Sequence, residues 1–136
     1  MYKYKTIRDY LVKDKKIDED KLNYIMYYFE AWTQTIFSES FLTDKIDFNV
    51  TNSTLEITLE PNNKEETKDE DIIFIINSVL KTYGYKSKNE LEALIKSEYP
   101  YIKAQKINKD NKIKKEDMVD YYSSISDIEV AKKLDK

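Results

Sequence analysis

Several residue types on which enzymes depend are absent or scarce in this chain. It contains no cysteine and no histidine among its 136 residues. Disulfide frameworks, zinc sites of the His/Cys type and Ser-His or Cys-His nucleophiles are therefore excluded. The single glycine, Gly84, cannot supply a Walker loop or a dinucleotide-binding loop. We predict that the chain is not an enzyme and has no catalytic, cofactor-binding or metal-ligating residues.

Long apolar runs and a strong net charge are also missing. No run of about 18 apolar residues occurs, which predicts that no segment spans a membrane. The stretch Met1 to Lys5 has no apolar signal-peptide character, so the expected location is the cytoplasm. The formal net charge of −3 gives no overall attraction to nucleic acid.

The residues that are present suit one small domain. A chain of 136 residues with 40% hydrophobic residues can build one modest core, so residues 1–136 are interpreted as a single domain. We expect a mainly α (α+β) fold, a compact helical domain of about five or six helices with a small β-hairpin. The hairpin is predicted at residues 45–59, because Ile46, Phe48 and Val50 alternate with polar residues there.

The helices are predicted from apolar residues that recur every three or four positions. They are expected over residues 4–14, 19–36, 69–83, from Ser87 to just before Pro100, and 115–123. Asp18 is the expected cap of the second helix, Gly84 the stop of the third, and Ser87 with Glu90 a capping box for the fourth. Phe29 and Trp32 are expected to pack on the stripe of the third helix, whose inward residues are predicted as follows: Ile72, Ile73, Ile76, Val79, Leu80 and Tyr83.

The connections between these helices are polar or charged. Residues 61–71 are read as an acidic linker, 103–115 as a basic connection, and 124–136 as a C-terminal tail or short helix that a second capping box, Ser126–Glu129, would open. The acids of residues 65–71 could bind a hard cation weakly, but they more simply keep a linker solvated. The lysines of residues 103–115 could contact phosphates or an acidic partner, or could form a solvated connection.

Two segments together resemble a known family. Residues 21–32, KLNYIMYYFEAW, resemble the "KLQKLLYY…W" helix of the SocA-like antitoxin domain, also called the Panacea domain and found in phage-associated GepA-type proteins. Residues 76–104 are similar to its second hallmark, in which Ser87 to Leu94 supply an "S..EL..L" helix and Glu98 to Ala104 an "E.PW..A" turn. Residues 113–122, IKKEDMVDYY, are similar to its closing helix.

The resemblance implies a function. Members of this family are antitoxins that bind and neutralise a cognate toxin protein, often encoded on a prophage or another mobile element. The expected partner is therefore a toxin protein, and neither a membrane nor a nucleic acid. Two alternatives stay open: a nucleic-acid-binding accessory protein that uses the Lys103–Lys115 stretch, and an enzyme that depends on carboxylates or on Tyr and Lys.

Tyrosines are the expected anchors of such a partner-binding surface, because binding energy concentrates in a few Trp, Tyr and Arg side chains. Tyr24 and Tyr28 lie four residues apart and hence on one helix face. The resemblance places the turn that contains Tyr99 and Tyr101 near this helix. We therefore predict a partner-binding groove between Tyr24, Tyr28, Tyr99 and Tyr101. The alternative is that these tyrosines only seal the core, with their hydroxyls in water.

Overall fold

A computed structural model describes residues 2–52, 54–60 and 70–125, which form six α-helices and one β-hairpin. In chain order the elements are α1 (Tyr4–Lys13), α2 (Leu22–Phe37), β1 (Lys45–Thr51), β2 (Thr54–Glu60), α3 (Glu70–Val79), α4 (Lys88–Ser97), α5 (Tyr99–Lys106) and α6 (Lys115–Ser123). A 3₁₀ turn, Glu19–Lys21, leads into α2, and a π-helical turn, Leu80–Gly84, follows α3. The predicted fold class is confirmed.

The helix α2 is the centre of the fold. It is apolar on nearly all sides, and it contacts α3, α4, α6 and the hairpin. A helix that is apolar all round is buried rather than exposed on one side. The predicted burial of Phe29 and Trp32 is confirmed. The indole N–H of Trp32 donates to the hydroxyl of Tyr83 at 3.0 Å, which joins α2 to the π-helical turn.

The hairpin covers part of this core. Its antiparallel strands place Thr51 opposite Thr54, and Asn52 in the connecting turn has a left-handed backbone with φ 51°. Asparagine tolerates this conformation better than most residues, so the turn suits its sequence. Phe48 and Val50 on β1 are buried, as the alternating pattern predicted.

A short segment between α5 and α6 extends the hairpin on its β1 side. The N–H of Val50 donates to the carbonyl of Asn111 at 2.8 Å, and the N–H of Ile113 donates to the carbonyl of Phe48 at 2.9 Å. Nothing in the sequence predicted this pairing, because two hydrogen bonds between distant segments leave no local pattern. It brings the start of α6 close to β1.

Two of the three helix ends that the sequence predicts are present in the structure. The Ser87–Glu90 capping box is present, with the Glu90 N–H donating to the Ser87 hydroxyl at 3.1 Å and the Ser87 N–H donating to Glu90 Oε1 at 3.1 Å. The third helical run ends at Gly84, where the Lys21 ammonium donates to the Gly84 carbonyl at 2.7 Å. Asp18 occupies the predicted cap position but makes no side-chain cap hydrogen bond, so that prediction was wrong.

Two further expectations need correction. Residues 99–106 form α5 and not the predicted turn followed by a basic connection. Pro100 lies in the first turn of α5, where a missing N–H costs no hydrogen bond. The stretch 103–115 thus begins in α5 and ends in α6. Ile73 is exposed and Ile75 is buried instead, because the helix presents a different side to the core.

The predicted acidic linker and C-terminal segment fall only in part within the described residues. Glu70 and Asp71 of the expected acidic linker belong to the first turn of α3, where acids favour the helix dipole. The rest of that linker, residues 61–69, lies outside the described residues. So do the second predicted capping box and residues 126–136 of the C-terminal segment.

The burial of Trp32 gives a testable prediction. Trp32→Ala is expected to lower the free energy of unfolding by about 3–5 kcal/mol, because it leaves a cavity and removes the partner of Tyr83. Chemical denaturation would measure this loss. Tyr85→Ala is a suitable control, since Tyr85 is 73% exposed and its loss should cost less than about 0.5 kcal/mol. Equal midpoints for the two variants would contradict the placement of Trp32.

Candidate functional site

One of the predicted tyrosines, Tyr28, reaches a buried carboxylate, Glu98, which directly precedes the Tyr99–Tyr101 turn. This residue precedes α5 and is 5% exposed. The Tyr28 hydroxyl of α2 donates to Glu98 Oε1 at 2.6 Å, and the Tyr122 hydroxyl of α6 donates to the same oxygen at 2.8 Å. The expected proximity of the Tyr99–Tyr101 turn to the long helix is therefore confirmed.

A third tyrosine completes this network. The hydroxyls of Tyr122 and Tyr27 are 3.0 Å apart. Each hydroxyl carries one proton, so when Tyr122 donates to an ionised Glu98 it must accept from Tyr27. The ring of Tyr28 also stacks on Tyr83, with centroids 3.9 Å apart. These contacts tie α2, α6, the start of α5 and the π-helical turn together.

Burial changes the pKa values of Glu98 and Tyr28. It raises the pKa of Glu98, and the hydroxyl donors Tyr28 and Tyr122 act in the opposite direction by stabilising the carboxylate. Burial and the nearby Glu98 likewise raise the pKa of Tyr28 well above its usual range. Phenols with raised pKa values stay protonated at neutral pH, so the network consists of hydrogen-bond donors around one acid.

Two of the other three predicted tyrosines, Tyr24 and Tyr101, differ in their hydrogen bonding. Burial and a hydrogen bond to Glu92 raise the pKa of Tyr24 to about 12, and its hydroxyl donates to Glu92 Oε2 at 3.1 Å. Tyr101 is buried, and its hydroxyl has no partner among the described residues. Tyr24 thus lies at the edge of the core and Tyr101 within it.

The open groove expected between the four tyrosines therefore has to be corrected. Tyr28 and Tyr101 are fully enclosed and Tyr24 is nearly so, because the apolar rings fill the core around Glu98. Tyr28→Ala is now expected to destabilise the fold rather than to weaken binding selectively. Tyr99 alone of the four offers substantial surface, with 48% of it exposed. A role of Tyr99 in partner binding stays a prediction.

The outer side of α5, together with the C-cap residue Ile107, is a second feature, which we call the α5 outer face: Tyr99, Lys103, Lys106 and Ile107. Spacings of four, seven and eight residues bring these positions to one side of a helix. Ile107 is 65% exposed, although large apolar side chains are usually buried. A shallow depression of about 470 Å³ continues from this face and is lined by Lys103, Ile107, Asn108, Lys109, Asp110 and Lys114.

The basic residues of this region do not form one continuous stripe. The Lys103 ammonium is 2.9 Å from Asp117 Oδ1 on α6, and the Lys112 ammonium is 3.6 Å from Asp47 Oδ2 on β1. Carboxylates of the protein therefore neutralise part of the predicted basic stretch. What is left is a moderately positive, partly apolar surface.

A separate pocket, which we call the polar cavity, lies between the end of α2, β1 and the start of α6. Its volume is about 320 Å³. Polar and charged side chains line much of it: Glu30, Gln34, Asp44, Lys45, Asp47 and Lys115. The sequence analysis missed this site. The one local signal was the pair Glu30 and Gln34, two polar residues one turn apart in an otherwise apolar helix.

Two further kinds of feature, a membrane span and a metal site, are absent from the described residues. No helix within residues 2–52, 54–60 and 70–125 is both long and apolar enough to cross a membrane. Among the same residues, no three acidic side chains are grouped so that they could hold a metal ion.

Comparison of the chain with protein-family models, with curated proteins and with solved structures yields no match. The similarity to the SocA-like antitoxin domain therefore rests on the motifs of the sequence alone. What the residues themselves provide are two surfaces of different character: the α5 outer face and the polar cavity.

Because Glu98 is buried, we predict that it makes the stability of the protein depend on pH. Because the pKa of Glu98 is raised in the folded protein, its contribution to stability is complete below about pH 4.3, where an exposed glutamate titrates, and is lost as the pH rises. The neutral variant Glu98→Gln lacks this dependence. The stability of the wild type relative to Glu98→Gln should therefore fall as the pH rises above about 4.3. Denaturation curves across this range measure the difference.

Glu92→Gln is the matched control with the opposite sign. Hydrogen bonds from Lys96 and Tyr24 lower the pKa of Glu92, so its contribution appears as the pH rises. Relative to Glu92→Gln, the wild type should gain stability as the pH rises toward about 4.3, and the difference should stay level above that pH. Identical pH trends for the two variants would contradict the burial of Glu98.

Proposed function

We propose that this chain is an antitoxin-like protein-interaction module that acts in the cytoplasm, where it binds and neutralises a cognate toxin protein of phage or mobile-element origin. The binding surface in this proposal is the α5 outer face. The observation that carries the proposal is the exposure of Tyr99 and Ile107 on one side of a short helix whose other side is anchored in the core.

The spatial arrangement of the segments that carry the family resemblance supports the proposal. The segments that carry the resemblance are distant in sequence, yet they contact each other through Tyr28 and Glu98 and through Trp32 and Tyr83. Residues of the closing segment join them, since Tyr122 also donates to Glu98. The motifs thus make up one packed unit, as expected if they encode a shared fold.

The chemistry of the α5 outer face indicates the kind of partner. Aromatic and aliphatic side chains beside positive charges suit a protein surface with an apolar pocket and an acidic rim. Tyr99 and Ile107 would enter the pocket, and Lys106 would face the rim. The anchoring of α5 by Pro100, Tyr101 and Ala104 holds this face in place before binding, which reduces the entropic cost of association.

Alanine substitution of the exposed tyrosine tests this surface. Tyr99→Ala is expected to weaken binding to the purified product of the adjacent gene by more than about 1 kcal/mol, because Tyr99 would be a central anchor. The stability of the protein should hardly change, since the side chain is half exposed. Isothermal titration calorimetry measures the first effect and thermal denaturation the second.

Tyr85→Ala is the matched control, because Tyr85 is an exposed tyrosine that precedes α4 and lies outside the α5 outer face. Its affinity for the same partner should equal that of the wild type. Cells that produce the toxic partner should grow when they also produce the wild type or Tyr85→Ala. They should grow less well with Tyr99→Ala, in line with its weaker binding. Unchanged affinity of Tyr99→Ala would place the interface elsewhere, and no binding by the wild type would overturn the proposed function.

Nucleic-acid binding through the Lys103–Lys115 stretch is the alternative function. The depression beside α5 favours it in part, since Lys109 and Lys114 line it. The pairing of Lys103 with Asp117 and of Lys112 with Asp47 weighs against it, because these lysines already have carboxylate partners.

Salt dependence separates the two functions. Binding to phosphates releases counterions, so any affinity for DNA or RNA should decrease steeply with added salt. We expect no sequence-selective binding at physiological ionic strength in fluorescence anisotropy with duplex and single-stranded oligonucleotides. Tight and sequence-selective binding there would favour the alternative.

A further inference from the structure

The polar cavity contains an unusual buried arrangement on α2. Glu30 and Gln34 both line it and lie one helical turn apart. Both side chains are buried, and Gln34 is 6% exposed. Polar groups at such depth are almost always hydrogen-bonded, so each one calls for a partner.

One hydrogen-bond acceptor of the Glu30–Gln34 pair has no donor within the described part of the chain. The amide N–H of Gln34 donates to Glu30 Oε2 at 2.9 Å, and the hydroxyl of Ser40 donates to Glu30 Oε1 at 2.9 Å. Glu30 therefore determines which way the amide points, because turning it over would set the carbonyl oxygen against the carboxylate. Gln34 Oε1 has no partner among the described residues. A fully buried, unused acceptor thus lies beside an acid, on two residues that line the cavity.

The rest of the cavity combines charge with apolar walls. Asp44 and Asp47 add two carboxylates to Glu30, against the ammonium groups of Lys45 and Lys115, and Asp47 is also paired with Lys112. Asp44 accepts the N–H of Tyr4 at 2.7 Å, so its carboxylate is held in position. The apolar walls come from Ile46, Phe48, Ile113 and Met118.

Burial also affects Glu30. It raises the pKa of this carboxyl, while the donors Gln34 and Ser40 and the charge of Lys115 act in the opposite direction. A further positive charge nearby would stabilise the ionised form. An anion at the same place would be repelled and would supply no proton to Gln34.

We propose that the polar cavity binds a small organic amine, whose ammonium group donates to Gln34 Oε1 and to the carboxylate of Glu30 while its apolar body lies against Phe48, Ile113 and Met118. An ammonium group has three donors and no acceptor, which matches a site whose unused group is an acceptor. The volume of about 320 Å³ is at the lower end of the usual range for ligand pockets, which suits a ligand of this size.

A set of three probes of nearly equal shape tests the chemistry. 2-Phenylethylamine is the amine, 2-phenylethanol its neutral counterpart and 3-phenylpropionate its anionic counterpart. The Gln34 side-chain amide and the backbone amides of α2 and β1 serve as reporters in ¹H–¹⁵N correlation spectra of the whole chain. We expect saturable shifts with the amine, with a Kd of about 1 mM or lower. The alcohol and the acid should bind at least about tenfold more weakly.

Two variants locate the ammonium group. Gln34→Leu removes the unused acceptor and Glu30→Gln removes the charge while keeping the size of the side chain. Each is expected to reduce the affinity for 2-phenylethylamine by about tenfold or more. Glu56→Gln is the control, because this exposed acid on β2 does not line the cavity and should leave the affinity unchanged. Circular dichroism verifies that each variant is folded.

Each possible result either supports or overturns the proposal that the polar cavity binds an amine. Selective binding of the amine that both α2 variants weaken would support the proposal. Equal binding of the three probes would indicate an apolar pocket without charge recognition, and preference for the acid would indicate an anion site at the lysines. Either result would overturn it, as would the absence of saturable shifts in the wild type. None of these results depends on whether the α5 outer face binds a toxin.

Discussion

Two tyrosine hydroxyls donate to the buried Glu98 and thereby hold three helices in position. A carboxylate in a protein interior loses most of its hydration, and it is tolerated only where donors replace the lost water. Tyr28 supplies one donor from α2 and Tyr122 another from α6. Both must reach the same oxygen of a residue at the start of α5, so the three helices have little freedom in their relative positions. The aromatic rings that carry these hydroxyls also fill the core around the acid.

This arrangement determines which side of α5 faces solvent. With Glu98 held by two tyrosines, Pro100, Tyr101 and Ala104 turn into the core, and Tyr99 and Ile107 are left on the outside. The exposed apolar residues of the α5 outer face are thus a consequence of the buried network. Substitutions at Tyr28 or Tyr122 would disturb this face indirectly, whereas substitutions at Tyr99 act on it alone. The distinction matters for any search for partner-binding residues in this fold.

The polar cavity arises from a different contact. Residues 111–113 pair with β1, and this pairing brings Ile113 and Lys115 beside the end of α2. Glu30 and Gln34 then face a space bounded by the hairpin and by α6. Had the connection after α5 stayed a solvated loop, as its lysines suggested, this space would have no wall on that side. The two surfaces of the molecule therefore depend on separate sets of contacts and can be tested separately.

Features that arise from local periodicity and local hydrogen bonds were predictable from the sequence. The hairpin at residues 45–59, the long helix with Phe29 and Trp32 inside, and the Ser87–Glu90 capping box all follow from neighbours within a few residues, and all are present. The burial of particular tyrosines and the surroundings of the polar residues of α2 depend instead on how the elements pack. Those outcomes depend on the acid that Tyr28 and Tyr122 share and on the pairing of residues 111–113 with β1, contacts between segments far apart in the chain. A helical pattern identifies the apolar side of each helix, but it carries no information about which partner that side will meet.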